Sequence, residues 1–361
     1  MNNIFDFAPK ELVLDAFLCW CFNFHKSENK IEKEFSHNLI QEIYNYCGGN
    51  KILNIEKVTP LTQYGKSKID VLVEILLKNQ EKLYFVFENK LETSHHSNQL
   101  NRHIEEMEQK NKDPKEEIKY IYFKIGNLYD EDRNLPEKFT LLDRKSILKI
   151  FDKIKVKSEI FDFYCNFLFK IEERNNLEKL LIEKDIQLTK KELDIIFWSS
   201  SGQYKILKKL SDKIKSIISR GTSFGRPWTN IQLLSRETNK IWYGIFWRID
   251  WRMNKKTNTY TPYICLRYYK TSLEKTSEDD IYFDGMRKIF NELASKYSNL
   301  EFGKVHNIGN KEREIGILYF DNEKNTIPKV INEIGKFSEE FLIKVKEKEL
   351  YYKDAKYYIE I

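Results

Sequence analysis

The hydrophobic period of the chain changes several times, and each change marks an element. Residues 9–24, PKELVLDAFLCWCFNF, place Leu12, Ala16, Phe17 and Trp20 at helical spacing, with Pro9 near the start. A second helical stretch runs over 30–46 and closes at Gly48-Gly49. The period then shortens to two. KILNIEKVTPL at 51–61 and SKIDVLVEILL at 67–77 predict strands, and Asn79-Gln80-Glu81 predicts a short turn into a third, KLYFVFENKLE. From Ser94, read as an N-cap, Leu100, Ile104 and Met107 mark an amphipathic helix. IKYIYFKIG is a fourth strand and FTLLD near 140 a fifth. A helix that joins two strands predicts a crossover and a partly parallel sheet.

From about 145 to 215 the pattern is mostly helical, with a break at SSSGQ, 199–203. After about 222 it changes again. Strand-like IWYGIFWRIDWR and YTPYICLRYYK precede a helix near 278–297, strand-like REIGILYF and a helix from about 328. The predicted organisation is a first α/β domain over 1–155, a helical connector over 156–220 and a C-terminal α+β domain over 221–361.

Composition narrows the class without naming a function. Apolar residues make up 41% of the 361, aromatics 14% and charged residues 32%, which describes a globular chain rather than a disordered one. The net charge of +6 is mild, so a nucleic-acid footprint would have to be a local patch. Five cysteines, Cys19, Cys21, Cys47, Cys165 and Cys265, form no CxxC pair and fit reduced thiols in a cytosolic protein. Asp6, Glu11 and Asp15 interrupt the apolar N-terminal stretch, which argues against a signal peptide, and no run is apolar and long enough for a membrane span.

Candidate chemistry sits at the ends of the second and third strands. Side chains alternate across a strand, so Glu88 and Lys90 share one face while Phe85, Phe87 and Asn89 share the other. Asp70 interrupts the β-branched run KIDVLVEI, where burial is costly unless something cationic meets it. If the two strands are adjacent, Asp70 and Glu88 converge with Lys90 beside them. Two carboxylates and the Asn89 backbone carbonyl make an oxygen-rich site of the kind Mg²⁺ prefers, with Mn²⁺ as a substitute. Such a metal would lower the pKa of a bound water and neutralise charge on a scissile phosphate, with Lys90 holding the water or the developing charge. The spacing D-x(17)-E-x-K is equally the pattern of an edge-strand ion pair.

KSKIDVLVEI, YFVFENKLE and NQLNRH, together with PKELVLDAFLCW, resemble the core of the PD-(D/E)XK nuclease superfamily, in particular a bacterial branch with an ENK third-strand motif and a following QL. The likeness covers about 8–150. It implies a restriction-endonuclease-like α/β core of order αβββαβ, a mixed sheet flanked by helices, and a Mg²⁺-dependent phosphodiesterase. It further implies Asp70 and Glu88 as metal ligands, Lys90 as the catalytic lysine, Glu11 as a helix-borne acid supporting the metal and Gln99 as a helix residue near the site. DNA is the implied substrate, in defence against foreign DNA or in DNA processing, with RNA or binding without cleavage as alternatives. A homodimer is compatible with such enzymes, and no membrane partner is expected. Ile69 replaces the usual proline before Asp70, and His103 stands where many relatives have Tyr, so no role is assigned to position 103.

Glu11 can also be read as a solvated first-turn acid favoured by the helix dipole, and Glu74, on the Asp70 face, as an exposed strand-end acid. His95 and His96 lack metal-ligand spacing and read as a solvated loop. For nucleic acid, Lys205, Lys208, Lys209, Lys213, Lys215 and Arg220 stand against one acid, Asp212, and form either a phosphate-contacting stripe or an ordinary solvated face. Arg248 and Arg252 alternate with Trp247 and Trp251, a pattern that suits base stacking and equally a packed core with a basic face.

Overall fold

The computed structural model describes residues 11–359 except 96–97, 112, 114, 155, 224–225, 238–240, 255–258, 272–276, 298–299, 304, 306–311, 320–324 and 353, and only the backbone of 222–223, 226–227, 252–254, 259–260 and 277–278. Pro9 and His96 lie outside the described residues. Two compact units divide the chain, 1–175 and 176–361.

The first unit opens with helices α1 (Glu11–Asn23) and α2 (Lys30–Tyr46). Strands β1 (Ile55–Tyr64), β2 (Ile69–Leu77) and β3 (Lys82–Lys90) follow, then α3 (Gln99–Lys110), β4 (Glu116–Lys124), β5 (Phe139–Asp143) and α4 (Arg144–Lys153). Helix α5 (Glu159–Glu183) contains the division between the units. The five strands lie in the order β1-β2-β3-β4-β5. The first three pair antiparallel through tight turns, while β3–β4 and β4–β5 are parallel, so α3 is the expected crossover. The sheet is mixed and flanked by helices on both faces.

Burial explains the strand sequences. β3 lies between β2 and β4, which is why LYFVF is apolar on both faces. Leu83, Phe85 and Phe87 pack with Leu14, Phe17 and Leu18 of α1, Leu39 and Ile43 of α2, and Tyr164 of α5. Tyr84 and Val86 face the opposite way, against Leu100 and Met107 of α3. β1 is an edge strand, which lets it carry Pro60 where an inner strand would lose a ladder hydrogen bond. The helix expected from Ser94 begins instead at Gln99, after Asn98 in the left-handed region (φ 66). The preceding segment is held otherwise: the Leu91 amide donates to Glu11 and the His95 amide to the Tyr122 hydroxyl.

The second unit carries α6 (Lys190–Phe197), α7 (Ser200–Lys213), β6 (Ile217–Ser223), β7 (Arg226–Glu237), β8 (Trp242–Asn254) and β9 (Thr259–Lys270). These are followed by α8 (Ser277–Ala294), β10 (Glu301–Gly303), β11 (Glu312–Tyr319), α9 (Ile327–Glu347) and β12 (Lys356–Tyr357). Its antiparallel sheet runs β10-β11-β9-β8-β7-β12, with β6 on β7. The expected break at 199–203 is the junction of α6 and α7, where the Ser199 hydroxyl caps α7 by accepting from the Gly202 amide at 2.7 Å. The expected connector over 156–220 is not a separate body. Its first part groups with the first unit, while Ile206, Leu207, Leu210 and Ile214 lie in the core of the second with Trp247 and Phe337.

Gly126, just past β4, sits where the chain crosses the end of β3. A Cβ there would lie 1.7 Å from the Leu91 carbonyl oxygen, a backbone atom that cannot step aside. Gly126→Ala, which in a roomy loop would stabilise slightly by restricting the unfolded chain, is expected here to cost about 1–3 kcal/mol. Urea denaturation measures it, and a midpoint at or above wild type would contradict the tight crossing.

Candidate active site

The register Val71↔Phe87 and Leu72↔Val86 carries Asp70 of β2 to the position across from Glu88 of β3, on the face covered by α3. The two strands are adjacent, and the acids are near enough for the Glu88 charge to act on Asp70. Asp70 Oδ2 accepts the Asn89 amide at 2.8 Å, and Asp70 Oδ1 accepts the Gln63 side-chain amide at 3.2 Å. An N–H and a C=O of one extended residue lie on the same edge of the strand, so the Asn89 carbonyl also faces β2. The next carbonyl, that of Lys90, points the other way and accepts the Ile125 amide at 3.1 Å.

Glu88 is fully buried. Its Oε1 pairs with the Lys90 ammonium, and its Oε2 lies 2.8 Å from His103 Nε2. Burial opposes ionisation of Glu88, but the His103 hydrogen bond and the Lys90 charge outweigh it and hold the carboxyl below its ordinary value. Asp70 goes the other way. Burial and then the Glu88 charge push it up to about 7, against the Asn89 amide and Lys90, which pull it down. Lys90 is itself buried, which disfavours its charge, yet Glu88, Glu11 and Asp70 together raise it above the usual lysine value.

Helix α1 reaches the same point from the other face. Glu11 Oε1 accepts the Leu91 amide at 3.2 Å and the Thr93 hydroxyl at 3.0 Å, while Oε2 lies 3.9 Å from Lys90 Nζ. Glu11 is therefore not a solvated first-turn acid. One turn on, Asp15 is buried and accepts the Asn89 side-chain amide at 2.6 Å. Burial raises the Asp15 carboxyl, with the Glu11 and Glu88 charges adding to it and Asn89 and Lys90 opposing. Gln99 opens α3 with its Oε1 buried and without a hydrogen-bond partner, a cost that a bound ligand would relieve.

Three groups escaped the sequence reading. Asp15 registers there only as a charge in an apolar stretch, although its spacing of four from Glu11 puts both on one helix face. His103 is the direct partner of Glu88. Lys124, fully buried on β4, donates to the Thr93 carbonyl and lies 3.4 Å from buried Asp132, which also accepts the Tyr122 hydroxyl at 2.6 Å. This pair fixes the floor below the segment that leaves β3.

Other candidates lie elsewhere. Glu74 pairs with Lys110 at 3.8 Å near the surface, and His95 Nε2 meets the Glu131 carbonyl at 3.2 Å. In the second unit Lys205 is tied to buried Glu178 at 2.7 Å, Lys208 to Asp212 at 2.8 Å, and Lys209 stands 4.0 Å from Glu183. Lys213 and Lys215 are exposed, and Arg220 lies over the Tyr204 ring. Arg248 bonds Asn230 and Glu312, both at 2.8 Å, while Trp247 is buried in the core. The Arg252 side chain is outside the described residues.

Among known proteins, the family model described as the PD-(D/E)XK nuclease superfamily matches residues 2–184, just over half of the 361. The chain belongs to the PD-(D/E)XK nuclease superfamily. No curated protein and no solved structure matches it. PD-(D/E)XK nucleases typically use divalent metal ions, and the residues present fit one. Asp70, driven to about 7 by burial and by Glu88, marks a site with more carboxylate charge than Lys90 offsets. No group of three or more His, Cys, Asp or Glu among the described residues is arranged to hold a metal by itself. The groups that would hold it are the Asp70 and Glu88 carboxylates and the Asn89 carbonyl, an oxygen-rich set that leaves room for waters rather than a closed cage. Among the described residues no helix is long and apolar enough to cross a membrane.

A pH dependence follows for the metal-free protein. The folded Asp70 holds its proton up to about 7, whereas the unfolded side chain releases it near 3.8, so this group subtracts stability as pH rises across that window. In chelator, Asp70→Asn is expected to melt above wild type by a margin that grows between those values and is constant beyond them. Thermal denaturation across pH reads the margin, and one that does not change with pH removes the assignment.

Proposed function

We propose that the protein is a metal-dependent nuclease that hydrolyses phosphodiester bonds in DNA. The observation that carries the reading is the meeting of Asp70 and Glu88 from adjacent strands, with buried Lys90 between Glu88 and Glu11. Asp70, Glu88 and the Asn89 carbonyl would hold Mg²⁺ or Mn²⁺, with Glu11 supporting from α1. When bound, the cation would neutralise phosphate charge and acidify a water. Lys90 keeps its proton through its acidic neighbours and so presents a fixed donor to the attacking water or to charge developing on the phosphate. Sheet and helix burial around the pair lowers the local dielectric, which strengthens each of these interactions.

Plasmid DNA with Mg²⁺ or Mn²⁺ should be nicked or linearised, and EDTA should stop the reaction. Lys90→Ala is expected to lower the rate roughly 10²- to 10³-fold, the usual cost of losing one donor to developing charge. Parallel RNA substrates separate the deoxyribonuclease reading from a ribonuclease. Identical behaviour of wild type and the Asp70→Ala/Glu88→Ala variant on every substrate would leave only a binding protein.

The second unit is proposed to select substrate or partner, with α7 as its polyanion contact. Because Lys205 and Lys208 are held by close acid partners, whereas Lys209 only stands 4.0 Å from Glu183, the contact would rest on the exposed Lys209 and Lys213. Lys209→Glu/Lys213→Glu is expected to weaken DNA binding and to reduce the log K against log salt slope by up to about 2. An unchanged slope in a filter-binding titration removes α7 from the interface.

A further inference from the structure

We propose that His103 is a positioning residue that fixes which carboxylate oxygen of Glu88 is offered to the cation. The inference rests on the reading of Glu88 as a metal ligand and adds a residue to it.

The imidazole is fully buried on α3, with both ring nitrogens engaged. Nε2 lies 2.8 Å from Glu88 Oε2, and Nδ1 lies 2.9 Å from the Ser67 hydroxyl. An ionised carboxylate only accepts, so Nε2 carries the proton and donates to Oε2. Ser67 then sets the ring plane from the β1–β2 turn. That turn is itself fixed to α3, because Glu106 accepts the Lys66 amide at 2.9 Å and the Ser67 amide at 2.7 Å. The clamp therefore runs from the turn, through the ring, to one oxygen of Glu88. Oε1 is left on the Lys90 side, where the cation would sit. Without the His103 donor, the carboxylate is free to rotate and to present both oxygens to Lys90, which withdraws the ligand atom.

A hydroxyl, an imidazole and a carboxylate in a row also occur in acyl-transfer sites, but the surroundings here oppose that use. The Lys66 and Ser67 amides beside the hydroxyl are taken by Glu106, so they are not available to a developing oxyanion, and the carboxylate is shared with Lys90.

The test is Mn²⁺ binding to full-length protein by isothermal titration calorimetry, with circular dichroism and thermal melting as controls for folding. Removing a hydrogen-bond partner of a ligating carboxylate typically costs about 10- to 100-fold in metal affinity. His103→Phe is expected to show that loss, and His103→Gln, which keeps an N–H donor, to recover most of it. Ser67→Ala should give a smaller loss in the same direction. In a Glu88→Gln background, His103→Phe should add nothing further, which a merely structural role would not reproduce. Wild-type Mn²⁺ affinity in a folded His103→Phe protein overturns the proposal. If His103→Phe does not fold, Ser67→Ala carries the test: a loss of Mn²⁺ affinity that disappears in the Glu88→Gln background supports the proposal, and wild-type affinity in the folded variant overturns it. Wild type that binds no Mn²⁺ and cuts no nucleic acid overturns the nuclease reading itself, a distinct result.

Discussion

The first unit is organised around one expensive act, the complete burial of an ionised carboxylate. A lone charge in a protein interior costs several kcal/mol even after relaxation. Glu88 avoids that cost because Lys90 meets one of its oxygens and His103 the other. Each partner then makes its own demand. Lys90 is buried as well and is kept charged by Glu88, Glu11 and Asp70. His103 requires α3 to lie over this face of the sheet, and α3 is held there by Leu100 and Met107 packing on Tyr84 and Val86. The crossover helix is thus both a topological necessity of the parallel β3–β4 pair and the carrier of the group that makes Glu88 tolerable.

Alternation along β3 brings the other layer of the unit into the same site. Glu88 points towards α3, whereas Asn89, one residue on, points towards α1 and is bound by Asp15. The end of β3 is where both faces of the sheet and the chain leaving it come within reach of one another. Lys124 and Asp132 below, and Glu11 above, hold the departing segment at Thr93 and Leu91. The carboxylates are therefore positioned by the two helical layers together, and neither layer does so alone. This is the arrangement expected of a preorganised site, in which supporting groups rather than the reacting ones set the geometry.

What the sequence disclosed and what it concealed divide along the same physical line. Strands, their alternation, and the trio Asp70, Glu88 and Lys90 are encoded within a few residues of one another, in a hairpin whose register follows from its hydrophobic pattern. Glu11 was legible through its place on a family motif, and the structure puts it against Leu91 and Thr93. Asp15 and His103 were not legible, because their meaning lies in partners distant in the chain: Asp15 and Asn89 are 74 residues apart. The misplaced start of α3 has the same origin. Ser94 has the chemistry of a cap, but the chain around it is tied elsewhere, the Leu91 amide to Glu11 and the His95 amide to Tyr122, and these tertiary hydrogen bonds override the local signal.

The basic residues of the second unit show how far a charge count can mislead. Six cations against Asp212 look like a surplus running along α7 and on into β6. Yet Lys205 compensates Glu178, whose carboxylate also accepts the Ser199 and Ser201 hydroxyls. Arg248 and Arg267 similarly meet Glu312 across the sheet, and Arg267 also meets Asp250. Cations spent on internal acids add little to the field outside, because each pair presents a dipole rather than a charge. Any attraction for a polyanion would therefore fall to the residues at the exposed, C-terminal end of α7.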